Sequence, residues 1–272
     1  GTPVAAGMFD VNACGIASGL SDEEQMCMIA GTWSINEFIG KAPVTNGTVA
    51  LNSMFCMPGY FLIEESSPTS AGNMEWFIRN LMNYEKEEAK ANGGSVYDIT
   101  NEWVASIEPQ DSNIIFLPFL NGSNEAALAK GTFVGLTAYH SKKHMLRAVY
   151  EGIVFSHVTH VKKLLRNREV PKSIRLSGGA ANSDVWIQIF ADALQIPIDV
   201  IADKELGAQG AAMAAGIAAG IYKDYQEAIS RTVTITKTIN PRPEYKEIYE
   251  EKYATYRAVI DGLSSAWEHF KN

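Results

Sequence analysis

Short apolar runs alternate with longer amphipathic stretches along most of this chain. That alternation restricts it to an α/β architecture, with strands and helices in separate layers. The runs at 2–6, 26–29, 60–63, 114–116, 173–176 and 198–201 read as strands, with 132–136 as a further one. The helices are marked more clearly. Residues 71–82 follow Ser70, a fitting N-cap, and 85–92 is a charged run closed by Gly93-Gly94. Residues 140–165 carry Leu146, Val149, Ile153, His157, Val161 and Leu164 at spacings of three and four. Residues 184–194 and 206–220 follow the two late strands. Residues 245–270 line up Tyr249, Tyr253, Tyr256, Ile260, Leu263, Trp267 and Phe270, which reads as one helix seating an aromatic face on its own domain. With no internal repeat and no long linker, the chain reads as one domain over 1–272 with a helical insertion near 71–108.

Composition narrows the partners. The chain has 272 residues, 46% of them hydrophobic and 20% charged, enough to bury a full core. Its formal net charge is −8, without the basic excess of a nucleic-acid-binding surface. No apolar run is long enough to span a bilayer; 210–221 is short and made of Ala and Gly. Three cysteines, Cys14, Cys27 and Cys56, fit a reducing compartment such as the cytoplasm better than a disulfide framework. The chain opens at Gly1 without Met and enters an apolar segment at once, which reads as a cut inside a longer protein.

Four places carry residues suited to chemistry. In 174–182 (IRLSGGAAN) a strand runs into Gly178-Gly179-Ala180 and then a helix start with Asn182 and Ser183. Glycines allow close backbone approach, and a helix start offers free N–H groups and a positive dipole end to a phosphate or the polar edge of a nucleotide. Taken alone, so short a glycine motif is more often a plain strand-to-helix turn, and it is not the GxGxxG of a dinucleotide site. Gly31-Thr32, after an apolar strand, reads as a strand-to-strand turn that can present an N–H and a hydroxyl to a phosphate, or as an ordinary hairpin turn. Asp10 reads as a carboxylate at the C-terminal end of a strand, where open α/β sheets place their ligands, or as a simple cap. Gly72 falls in the first turn of a helix and leaves room for a neighbour. His157 and His160 share a helix face, but no third ligand stands near them in sequence, so they read as core histidines and not as a metal site.

The order of these features is more telling than any one of them. Asp10, Gly31-Thr32, Gly72 and Gly178-Gly179-Ala180 together resemble the C-terminal half of the FGGY carbohydrate kinases. Gly131-Thr132-Phe133-Val134-Gly135-Leu136, followed after seven residues by His144-Met145-Leu146-Arg147-Ala148-Val149-Tyr150-Glu151, resembles that family's C-terminal signature. The stretches 31–35, 67–77, 116–124 and 150–160 are most similar to its xylulokinase-type members, nearest the L-xylulose and 3-keto-L-gulonate kinases.

The resemblance implies a ribonuclease-H-like domain of the actin, hexokinase and Hsp70 type, with a mixed central sheet and helices on both faces. It implies ATP with Mg²⁺ in a cleft shared with an N-terminal sugar-binding domain that this chain does not contain. The implied partners are a ketose substrate, that other domain and a second copy in a homodimer, with no nucleic acid and no membrane. By motif, Asp10 matches the family's catalytic base and Gly31 and Thr32 its second phosphate turn. Gly72 matches the glycine that nears the nucleotide. Gly178, Gly179 and Ala180 match the adenosine motif, with Asn182 or Ser183 where some members place an Asn on adenine. Two departures stand out. Gly122-Ser123-Asn124-Glu125-Ala126 replaces the Gly-Glu-Arg-Thr-Pro of many members, and Val11 follows Asp10 where relatives often have Asn or Gln.

Two other functions fit parts of the pattern. A non-catalytic actin-like ATP-binding module would work through protein partners, and it would have no need of a carboxylate at Asp10. An NAD-linked oxidoreductase would show GxGxxG with a ribose-binding acidic residue about 20 positions on, and no such fingerprint is present.

Overall fold

A computed structural model describes residues 1–2, 4–202 and 205–270. Its frame is a seven-stranded sheet in the order β3-β4-β2-β1-β7-β8-β9. The strands are β1 (Cys27–Ala30), β2 (Ser34–Gly40), β3 (Leu51–Met54), β4 (Phe61–Ser67), β7 (Ile174–Ser177), β8 (Ile198–Ile201) and β9 (Ile235–Ile239). β1, β7 and β8 are parallel, with Ile29 beside Ser177 and Leu176 beside Val200. β2 runs antiparallel to both β1 and β4, β3 runs antiparallel to β4, and β9 runs antiparallel to β8. A separate two-stranded ribbon joins β5 (Ile115–Leu117) to β6 (Thr132–Val134).

Both faces of the sheet are covered, because successive side chains of each strand point to opposite sides. On one side Met28, Phe38, Ile63 and Val200 meet α5 (Lys142–Leu164) and α6 (Asp184–Leu194). α2 (Gly72–Leu81), α3 (Asn83–Ala91) and α4 (Val96–Ala105) extend that layer and occupy the stretch read as a helical insertion. On the other side Cys27, Ile39, Leu62 and Ile201 meet α1 (Asp10–Ala17), α7 (Leu206–Ala218) and α8 (Tyr225–Thr232). α1 and α7 touch backbone to backbone: a Cβ at Gly210 would collide with the main chain of Ala13.

The chain's last long helix, α9 (Lys246–Gly262), is pinned through the family-like signature. Arg147 in α5 donates to Glu151 at 2.9 Å, to the Val104 carbonyl at 3.0 Å and to the Tyr249 hydroxyl at 3.0 Å. Lys252 closes on the other side of Glu151. Arg147 and Glu151 of this signature, with Lys252, therefore form a buried ion cluster, and Arg147 ties three helices together.

Several expectations need correction. Among the described residues, 2 and 4–6 form no strand, and residue 3 lies outside them. Asp10 therefore does not end a strand; it opens α1. β3, β9, α1, α4 and α8 are elements beyond those expected, and β2 is the strand, left without bounds, into which the Gly31-Thr32 turn leads. The helix expected over 245–270 ends at Gly262 and resumes as a short 3-10 turn over Trp267–Phe270, with Tyr249, Tyr256, Ile260 and Trp267 buried.

Candidate functional site

In an open α/β sheet, loops at the carboxyl ends of the parallel strands are where ligands bind. Here those ends are Ala30, Ser177 and Ile201, and two of the turns that follow them meet. Gly178 has φ +86° and ψ −169°, a region open to glycine almost alone. A Cβ there would also lie 2.7 Å from the carbonyl of Ala30 and 2.9 Å from the Gly31 nitrogen. Two separate constraints thus require glycine, and both serve to press the β7 turn onto the β1 turn. A Cβ on Gly179, by contrast, would meet Ala30 and Ala71 only at 3.8 Å. That residue is exposed and leads into α6.

The approach to α2 completes the cluster. The Ser70 N–H donates to the Thr32 carbonyl at 3.0 Å and the Ala71 N–H to the Gly31 carbonyl at 2.8 Å. A Cβ on Gly72 would stand 3.9 Å from Thr32. The structure therefore brings Gly31, Thr32, Gly72, Gly178 and Gly179 into one cluster. Ala180 is fully buried and can offer only its backbone. Asn182 is exposed at the rim, its side-chain amide donating to the Gly179 carbonyl at 3.3 Å. The Ser183 hydroxyl is already committed. It caps α6 by accepting the Trp186 N–H at 3.2 Å, and it donates to Asn101 Oδ1 at 2.6 Å.

Two clefts flank this cluster and share Gly179 and Asn182. One, of about 390 Å³, is lined by Met74, Glu75, Tyr97, Asn101, Tyr150 and Trp186. The other, of about 360 Å³, is lined by Ser177, Gly178, Val200, Ala202, Thr236 and Lys237. The first combines aromatic walls with a carboxylate and an amide, the chemistry that a flat heterocycle with amino groups needs. Tyr150 and Trp186 lie with ring centres 4.3 Å apart, and Tyr97 holds Glu75 through a 2.8 Å hydrogen bond. Because Asn101 Oδ1 accepts from Ser183, what this cleft-lining side chain has left to offer is the donor N–H₂ of its amide. Glu75, Tyr97 and Asn101 did not stand out in the sequence. The available signal was the i, i+4 spacing of Tyr97 and Asn101 on one helix face. A larger cavity of about 590 Å³, lined by Phe38, Gly40 and Arg168 among others, lies at the opposite edge of the sheet and touches none of these residues.

Asp10 reaches the same edge from the other face. Arg175, near the start of β7, donates to the carbonyls of Ser18 and Gly19 at 2.8 and 2.7 Å. The C-terminal end of α1 thus sits at the amino ends of the parallel strands. Further back along α1, Cys14 Sγ faces Gly207 at the start of α7, which follows β8. α1 therefore runs against the parallel strands, and Asp10, one turn beyond Cys14, emerges at their carboxyl edge. Its carboxylate is exposed and accepts the Val11 N–H at 2.9 Å; among the described residues it makes no hydrogen bond to the glycine cluster.

Beneath α1 the sheet carries an acidic floor. Glu37 and Glu64 are cross-strand partners on β2 and β4, both buried, each with Oε2 unpartnered among the described residues. Burial, opposed by the thiol hydrogen bond from Cys27 at 3.0 Å and reinforced by Glu64, pushes the Glu37 carboxyl up to about 8. Burial, then the charges of Asp10 and Glu65, raises Glu64 as well. The folded state thus keeps the Glu37 proton up to about pH 8, while an unfolded Glu releases it near 4.5. Between those values the native state binds more protons, so stability falls as pH rises. Glu37→Gln keeps the acceptor for Cys27 and removes the titration. It is expected to melt higher than the parent at pH 8 and to show a shallower decline from pH 5 to 8 in thermal unfolding. An unchanged slope would contradict the buried neutral carboxyl.

The five-strand core β4-β2-β1-β7-β8, with β2 antiparallel to both neighbours and glycine turns at the carboxyl edge, defines a ribonuclease-H-like domain of the actin and hexokinase type. The C-terminal domain of the FGGY family of carbohydrate kinases matches residues 26–219. The chain belongs to this family. It is 34% identical over 265 residues to the L-xylulose/3-keto-L-gulonate kinase of Escherichia coli (strain K12), covering 97% of this chain and 51% of that protein. The crystal structure of xylulose kinase from Rhodospirillum rubrum matches it with a TM-score of 0.84 at 23% identity, over 97% of this chain and 52% of that one. Ligand-bound xylulose kinase from Lactobacillus acidophilus matches with a TM-score of 0.80 at 25% identity, over 95% and 51%. The chain spans about half the length of the curated L-xylulose kinase relatives it matches over 97% of its own length.

Proposed function

We propose that this chain is the nucleotide-binding half of a cytoplasmic ATP-dependent sugar kinase, acting on a ketose such as L-xylulose with Asp10 as general base. The observation that carries this reading is the convergence of the Gly31-Thr32 turn, the start of α2 and the Gly178-Gly179 turn at the sheet edge where Asp10 emerges. The backbone amides of these turns are suited to the charge on a polyphosphate, and the cleft between Glu75 and Trp186 is suited to adenine. Glu75 would accept from the exocyclic amino group and Asn101 would donate to a ring nitrogen. Mg²⁺ would enter with the nucleotide and neutralise its phosphate charge. The sugar hydroxyl would attack the terminal phosphorus in line while Asp10 takes its proton. The name of the Escherichia coli relative supports a ketose acceptor.

The other wall of the cleft would come from the N-terminal domain of the same protein. A coupled ATPase screen of the intact protein against pentuloses, hexuloses and polyols tests the reading. Turnover with at least one ketose is expected, and the 272-residue chain alone is expected to give almost none. Absence of turnover with every sugar, or full activity in the isolated chain, would contradict it.

A further inference from the structure

We propose that His157 is a positioning residue that locks the Gly31–Trp33 turn against the start of α2. The inference rests on the reading of that turn as a phosphate site. His157 is fully buried in the middle of α5 and is held from three directions. Its Nδ1 lies 2.8 Å from Asn36 Oδ1 and 3.1 Å from Ser34 Oγ, both on β2. Its Nε2 lies 3.0 Å from Ser70 Oγ, two residues before α2. Phe190 of α6 meets the ring edge-on, with centres 5.3 Å apart.

The protons in this network follow from its partners. The Asn36 amide N–H₂ donates to the Glu65 carbonyl at 3.3 Å and to Ser34 Oγ at 3.2 Å, so Oδ1 is the atom facing His157. Nδ1 must then carry the hydrogen, which leaves Nε2 as an acceptor for the Ser70 hydroxyl. Burial, with a smaller contribution from His160 one turn away, lowers the His157 pKa to about 3, in keeping with a neutral ring.

This geometry has a consequence at the surface. Ser34 is the first residue after the turn, and Ser70 is the residue whose N–H holds the Thr32 carbonyl. One rigid ring therefore fixes the exit of the turn and the strand of chain laid across it. A core that needed only volume at this place would be filled better by an apolar ring, since a buried imidazole gives up hydration and returns only direction.

The test uses the intact protein, with ATP as the probe and KM for ATP, KM for sugar and melting temperature as readouts. His157→Phe keeps the ring and loses both hydrogen bonds; Ser70→Ala removes only the far partner. Each is expected to raise KM for ATP, by about tenfold for His157→Phe, with KM for sugar unchanged. The double variant is expected to be no worse than His157→Phe alone, because both remove the same strut. A lowered melting temperature with unchanged KM for ATP would overturn the proposal. If His157→Phe does not fold, unchanged KM for ATP in Ser70→Ala overturns it alone. Thr32→Val separates the two readings. If Thr32→Val weakens ATP binding while the other two do not, the strut fails and the phosphate turn stands. If all three leave it unchanged, the phosphate-turn reading fails and the strut with it.

Discussion

Asp10→Asn in the intact protein is expected to cut turnover by about 10³-fold while leaving the affinity for ATP nearly unchanged. Asn is almost isosteric with Asp, and its side-chain oxygen can still accept the Val11 N–H, so α1 keeps its start. What is lost is the ability to take a proton. Phosphoryl transfer asks little covalent chemistry of the protein beyond alignment, charge neutralisation and a proton acceptor, so losing the last should show in kcat and not in nucleotide binding. Steady-state kinetics with calorimetric titration of ATP separates the two. Retained turnover would remove Asp10 from the mechanism, and lost ATP affinity would assign it to binding instead.

The second large effect contrasts two adjacent glycines. Gly178→Ala is expected to destabilise the domain by more than about 3 kcal/mol, because φ and ψ suit only glycine and the new methyl meets the Ala30 carbonyl. Gly179→Val is expected to leave the fold intact, since its Cβ finds only ordinary contacts, and to place methyl groups at the mouth that both clefts share. ATP affinity should then fall by about tenfold or more without a matching loss in melting temperature. Reversal of the pattern, with Gly179→Val unfolding and Gly178→Ala tolerated, would contradict the geometry of the turn.

Legibility in the sequence followed from how locally each element is determined. β8 and α6 have the bounds expected of them, 198–201 and 184–194, because a β-branched run and an amphipathic period with a serine cap need no tertiary information. β2 was implied by the turn before it, but its extent was hidden because its interior carries the polar residues Asn36 and Glu37, which the fold nevertheless buries. α1 contains Val11, Asn12, Cys14 and Gly15, poor helix formers that are helical because α7 packs on them. α4 holds four β-branched residues, Val96, Ile99, Thr100 and Val104, and only the Ser95–Asp98 capping box announced it.

The site divides along the same line. The glycine cluster was legible because Gly178 has no substitute, so a motif marks it. The aromatic cleft was not, because Glu75, Tyr97 and Asn101 become neighbours only once α2 and α4 are packed. Ser183 shows the converse. Its place in the motif was readable, but its hydroxyl is spent on the helix cap and on Asn101. The role of His157 was invisible for a related reason: Ser34, Asn36 and Ser70 are far from it in sequence.

The most direct measurement is a structure of the intact protein with a ketose, a non-hydrolysable ATP analogue and Mg²⁺. The expected arrangement has phosphate oxygens on the backbone amides of Gly31, Thr32 and Gly179, adenine between Glu75 and Trp186, and the Asp10 carboxylate within about 3 Å of the sugar oxygen in line with the terminal phosphorus. A nucleotide seated in the cavity beside Phe38 and Arg168, or a terminal phosphate pointing away from Asp10, would contradict it.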